Sequence, residues 1–143
     1  MTIQVHVNRL DECLGLRTDD GHLKRAALAA LDTCSDAPAG EVSITFLPAA
    51  EMRALNRAYL GRGAATDVLA FELGDGERLL GDIYICPDVA SESAEEHGET
   101  LARELARLVV HGVLHVLGHD HPEDDSRYES EMFAIQERIL TEL

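Results

Sequence analysis

Leu105-Ala106-Arg107-Leu108-Val109-Val110-His111-Gly112-Val113-Leu114-His115-Val116-Leu117-Gly118-His119-Asp120-His121 is the stretch on which both the fold and the chemistry turn. Leu101, Leu105, Leu108, Val109 and Val116 recur at helical spacing and predict a long helix from Thr100 to about Leu117. Gly118 is placed to end it, because glycine takes the left-handed conformation at little cost. His111 and His115 are i and i+4 on that helix, so they share one face about 6 Å apart along the axis. Past Gly118 the chain can fold back and bring a third imidazole, His121, to the same ion. Three neutral nitrogens suit a transition ion such as zinc, with one position left open, and poorly match Mg2+ or Ca2+, which prefer oxygen. An aligned but solvated histidine face is the plainer alternative, and the third histidine just past a helix-breaking glycine weighs against it. His119 and Asp120 either orient a ligand imidazole or are ordinary turn residues.

Outward from this helix, Ile3–Val7 and Glu41–Phe46 alternate with period two and read as strands. Leu23, Ala26, Ala27, Ala30 and Leu31 predict a helix from Asp20 to about Thr33. Pro48, with Met52, Leu55 and Tyr59, predicts another to Gly61. Val68–Phe71 and Asp82–Ile85 are two further strands, and the loop holding Gly74, Asp75 and Gly76 predicts a hairpin between them. Pro87 closes the second, and an acidic helix follows to about His97. Ser126-x-x-Glu129 has the form of a capping box, with Tyr128, Met132, Ile135, Ile139 and Leu143 as the stripe of a terminal helix. The expectation is an α+β fold over residues 1–143 as one domain, with a small mixed sheet early, a helical second half and about five helices.

The chain has 143 residues, 45% of them hydrophobic and 27% charged, enough to bury one core. Its 12 basic and 27 acidic side chains give a net charge of −15, which repels nucleic acids and anionic membranes over most of the surface. A nucleic-acid role therefore needs a local basic patch. Between Met52 and Thr66 there are Arg53, Arg57 and Arg62 and no acid, and Arg103 and Arg107 extend the stripe of His111 and His115. This basic track is what an RNA backbone would follow, unless the abundant carboxylates pair with it. Cys13, Cys34 and Cys86 are scattered and odd in number, which argues against a disulfide framework and suits reduced thiols in a cytoplasm, as buried small hydrophobes or metal ligands. No apolar run approaches the roughly 20 residues of a membrane span, and the N-terminus lacks a basic start and apolar run, so neither insertion nor export is expected.

The spacing His-x3-His-x2-Gly-x2-His is also that of the metzincin proteases, where the residue after the first histidine is the glutamate general base. Here that residue is Gly112, which cannot take a proton. The metal cage is kept and the peptidase base is missing.

His111-Gly-x-Leu-His115-x-x-Gly118-x-Asp120-His121, with Thr66–Phe71 and Leu80-Gly81-Asp82-Ile83, resembles the YbeY family of bacterial metal-dependent endoribonucleases over essentially the whole chain. The resemblance implies a four-stranded sheet packed with helices, and one zinc ion on His111, His115 and His121. It also implies single-stranded RNA as substrate, in maturation of the 3′ end of small-subunit ribosomal RNA and in ribosome quality control. The family motif Tyr-Arg-Gly-Lys stands here as Tyr59-Leu60-Gly61-Arg62, so Leu60 replaces the arginine held important for cleavage. His119 stands where tyrosine is common, and Ala70 and Glu72 replace serine and proline. Arg57 and Arg62 are the candidate RNA-binding residues. No general base is assignable, with Asp120 and Asp82 candidates on position alone. Two other readings stay open: a metallohydrolase of another substrate class, and a ribosome-assembly factor with weak or no catalysis whose acidic surface meets basic ribosomal proteins.

Overall fold

The computed structural model describes residues 2–14, 20–61, 63–74, 78–118 and 130–143. Four strands, β1 (Thr2–Asn8), β2 (Ala39–Phe46), β3 (Val68–Glu72) and β4 (Arg78–Ile85), form one mixed sheet in the order β1-β2-β4-β3. β1, β2 and β4 run parallel, and β3 pairs antiparallel with β4 as the expected hairpin, at the edge of the sheet. Among the described residues there are six helices: α1 (Leu10–Leu14), α2 (Asp20–Cys34), α3 (Ala49–Leu60), α4 (Pro87–Glu96), α5 (Leu101–Val116) and α6 (Glu131–Thr141). The expected five are α2 to α6, and α1 is the addition. It is too short to show a period, and it follows Arg9, which has a left-handed φ of 65° and whose guanidinium pairs with Glu12 and Glu51. The fold is α+β with a four-stranded mixed sheet, as anticipated.

Strand alternation sorts the sheet into two faces. Val42, Ile44 and Phe46 of β2 and Leu79, Ile83 and Ile85 of β4 are buried in the main core with Leu23, Leu31, Leu105 and Leu114 of α2 and α5. The opposite face is partly covered by α3, where Met52 packs with Leu47, Leu69 and Cys86. α5 is the central helix and touches α2, α4, α6, β3 and β4. The terminal helix starts later than its sequence pattern suggests. Ser130 caps α6 by accepting from the Phe133 N–H at 3.2 Å, while Ser126, Tyr128 and Glu129 lie outside the described residues. Among the described residues no helix is long and apolar enough to cross a membrane.

Candidate functional site

α5 begins where the Thr100 hydroxyl accepts from the Arg103 N–H at 3.2 Å, and it ends at Gly118, whose φ is +95°. Two glycines let it lie close to β4. A Cβ on Gly112 would stand 2.8 Å from Ile83 Cγ2, and one on Gly81 would stand 2.7 Å from Val116 Cγ1, both inside van der Waals contact. With Gly112 pressed on the sheet, His111 and His115 stay half-buried and line an open cleft of about 1150 Å³. Other walls of the cleft come from α3 and the segment after it (Asn56, Leu60, Asp67), the α4–α5 corner (His97) and α6 (Phe133, Gln136).

The two imidazoles converge. Their ring centroids are 4.7 Å apart, and the Nε2 atoms face each other at 3.1 Å. Two nitrogens sharing one tetrahedral zinc at ~2.0–2.1 Å would stand roughly 3.3–3.4 Å apart, so this pair suits a common ion with little adjustment. The donor chemistry suits it as well, since imidazole nitrogen is a ligand of choice for zinc. His121, the third expected ligand, and His119 and Asp120 lie outside the described residues, as does Arg62. Among the described residues no group of three His, Cys, Asp or Glu side chains is assembled to hold a metal.

Of the two readings left open for Arg103 and Arg107, pairing with carboxylates is the one found: they share the histidine stripe but do not form an open basic track. Arg107 is bidentate on Glu137 (2.9 and 3.1 Å), bonds Glu104 at 2.9 Å and reaches Glu99 at 3.3 Å. Its hydrogen bonds to Glu137 raise its pKa further, and Arg103 pairs with Glu99 at 3.3 Å. The reason is local: Glu99 is one helical turn before Arg103, and α6 delivers Glu137 from the other side. Asp82, one of the two candidates for a base on position, does not line this cleft. It alternates with Gly81 and Ile83, so it projects from the sheet face opposite α5, opposite Phe71 of β3, and accepts from the Tyr84 hydroxyl at 2.6 Å. That hydrogen bond, aided by burial, leaves the Tyr84 phenol pushed up to about 12.

Of the basic window, Arg53 and Arg57 are exposed on α3 and meet no carboxylate among the described residues. Arg57 stands beside the cleft rather than in its described lining, whereas Leu60 lines it and is 49% exposed. Cys86 is buried and Cys13 and Cys34 are half-buried; all three are free thiols, with pKa values raised by burial, consistent with a packing role.

One polar residue in the cleft was missed. Gln136 is 3% exposed and contacts His111 Nδ1 through Oε1 at 2.7 Å. A signal was present, since Gln136 falls four residues after Met132 and three before Ile139, on the buried face of α6. A polar side chain at an apolar helical position needs a partner.

Comparison with known proteins agrees with this architecture. The family model described as "Endoribonuclease YbeY" matches residues 17–143. A Listeria monocytogenes protein named Endoribonuclease YbeY is 38% identical, with 98% of this chain and 96% of the relative aligned. One of the same name from Staphylococcus carnosus is 44% identical over 70% of each chain. The solution structure of a Thermotoga maritima protein matches with a TM-score of 0.62 at 28% identity, covering 99% of this chain and 88% of that one.

Proposed function

The chain belongs to the YbeY endoribonuclease family, and on that premise we propose that it is a zinc-dependent endoribonuclease of single-stranded RNA. Its setting would be the cytoplasm, its substrate the 3′ end of small-subunit ribosomal RNA, and its role ribosome maturation, with ribosomal proteins as neighbours. Family membership supports an RNA-cleaving hydrolase. The observation that carries the metal requirement is the convergence of His111 and His115 Nε2 at 3.1 Å on an open cleft.

His111, His115 and His121 would hold the ion. When bound, zinc would supply a Lewis acid for a phosphate oxygen and lower the pKa of water toward ~7. The rest falls to the chain's own groups. Gln136 holds the His111 ring through Nδ1. Arg57 and Arg62 would meet backbone phosphates, the guanidinium fork suiting phosphate geometry. They would do so in a protein whose net charge of −15 otherwise repels RNA, so binding rests on few contacts. Arg107 is not available for this, because three carboxylates hold it.

A second reading is favoured by Leu60. An apolar side chain lines the cleft at the position of the family's cleavage arginine, which fits an assembly factor that binds metal and RNA but cuts weakly. One assay separates the readings. Purified protein is incubated with single-stranded RNA and with an unstructured peptide, each with and without chelator, alongside His115→Ala. RNA cleavage that chelator and His115→Ala abolish and zinc restores, with the peptide intact, is the expected result. Chelator-sensitive peptide cleavage overturns the substrate class. No RNA cleavage at any metal loading selects the assembly factor.

A further inference from the structure

Gln136 does more than fill the buried face of α6. We propose that it is a positioning residue that locks His111 in the one tautomer able to bind metal through Nε2, an inference that rests on the metal reading above. The amide is oriented by its neighbour: Gln136 Nε2 donates to Glu137 Oε2 at 3.0 Å, so the oxygen end faces His111 Nδ1 at 2.7 Å. An amide oxygen has only lone pairs to offer. The proton in that contact is therefore on His111 Nδ1, and Nε2 carries the lone pair. That lone pair lies 3.1 Å from His115 Nε2, on the cleft side.

The amide cannot turn over without loss. Turned, its oxygen would oppose the Glu137 carboxylate, and its NH2 would meet the His111 nitrogen that now donates. Glu137 is itself fixed by Arg107, at 2.9 and 3.1 Å, and Arg107 is fixed in turn by Glu104 at 2.9 Å. Arg107, Glu137, Gln136 and His111 thus form one chain of hydrogen bonds that runs between α5 and α6 and ends at the histidine pair. Metal-binding histidines generally donate their second nitrogen to an oxygen that sets ring orientation, and losing that partner costs roughly 10- to 100-fold in metal affinity. The arginine that the sequence offers as a phosphate contact acts here three links along this chain, on the ring of His111.

A merely structural role for Gln136, holding α6 to α5, makes different predictions, and two readouts separate them. Zinc affinity is measured by competition with a chelating dye for wild type and Gln136→Met, with melting curves of the metal-free proteins. Gln136→Met is expected to weaken zinc binding by roughly 10- to 100-fold while the metal-free protein still melts cooperatively. The second readout is the ring-nitrogen NMR spectrum of His111 in metal-free protein at a pH about 2 units above the imidazole range. Wild type should show the Nδ1–H tautomer and Gln136→Met the Nε2–H tautomer that unconstrained histidine favours. The Nε2–H form in wild type, or unchanged zinc affinity in a folded Gln136→Met, overturns the assignment. If wild type binds no transition metal, the metal reading fails and the role of Gln136 with it, and the wild-type competition curve tells these outcomes apart.

Discussion

Arg107→Met is the most informative single change, because it separates an anchoring arginine from an RNA-binding one. The side chain is 16% exposed and holds Glu104, whose side chain is 7% exposed, and Glu137, at 31%. Methionine keeps most of the aliphatic packing and removes the charge. Breaking a buried pair by removing one partner costs about 3–5 kcal/mol; since Glu137 is partly solvated, we expect about 2–4 kcal/mol. For a chain of this length that corresponds to a fall in Tm of roughly 6–15 °C. The pH dependence has a definite sign. Burial holds the Glu104 carboxyl above its ordinary range against the pull of Arg107. For Glu137 burial also acts upward, but hydrogen bonds from Arg107 and Gln136 outweigh it and hold the pKa low.

Without Arg107 both carboxyls should rise above the unfolded value of about 4.3. A group with a raised folded pKa destabilises while ionised and ceases to do so as pH falls through that pKa. The loss of Tm should therefore be largest near about pH 7 and shrink on acidification. RNA binding by the same variant, followed by fluorescence anisotropy across salt concentrations, should keep the wild-type salt slope. A Tm within about 2 °C of wild type at neutral pH, a loss that grows on acidification, or a flattened salt slope would each refute the anchoring role.

Three further outcomes are expected. Arg57→Ala with Arg62→Ala should leave bound zinc unchanged by elemental analysis while flattening the log–log salt dependence of RNA binding by roughly 1.4, at about 0.7 per phosphate contact. Leu60→Arg, which places a guanidinium on the cleft wall, should raise the rate of RNA cleavage by roughly tenfold, the equivalent of about 1.4 kcal/mol; an unchanged rate in a cleavage-competent protein removes Leu60 as the reason for weak activity. Gly112→Ala should lower stability by about 1–2 kcal/mol in chemical denaturation, because overpacking against Ile83 exceeds the ~1 kcal/mol gain in helix propensity.

Local patterns carried most of the fold. Period-two alternation located β1 and β2, apolar spacing located α2, α3 and α5, and the Gly74–Gly76 region marked the β3–β4 hairpin. What they do not encode is which strand lies beside which. That β4 takes the place next to β2, with β3 at the edge, is a long-range pairing that no local pattern carries. The site divides in the same way. His111 and His115 meet because i and i+4 always meet on a helix, so the pair was legible from spacing alone. Whether Arg107 joins a basic track or pairs with carboxylates could not be read locally, because one of its partners, Glu137, lies 30 residues away on a different helix. The face of Asp82 was legible from the strand pattern, since a residue alternating with Gly81 and Ile83 must face away from whatever Ile83 packs on.

Gly112 carries two meanings, and packing explains why they coincide. As a statement about chemistry, it removes the glutamate that a zinc peptidase uses at this position. As a statement about packing, it is what lets α5 lie against β4, since a Cβ there would meet three carbons of Ile83 at 2.8, 3.2 and 3.3 Å. A glutamate at this position would start from a backbone already in contact with the sheet. Its carboxylate could reach the histidine pair only if α5 rolled or moved outward, and that would also open the contact of Gly81 with Val116. The residue beside the first histidine is thus committed to holding the helix down. The face bearing His111 and His115 lies about 100° or less around the same helix and faces the open cleft. Of the carboxylates near this face, Glu104 and Glu137 are held by Arg107, and Asp82 projects from the other face of the sheet. In this chain the departure from the peptidase motif follows from how tightly the central helix sits on its sheet.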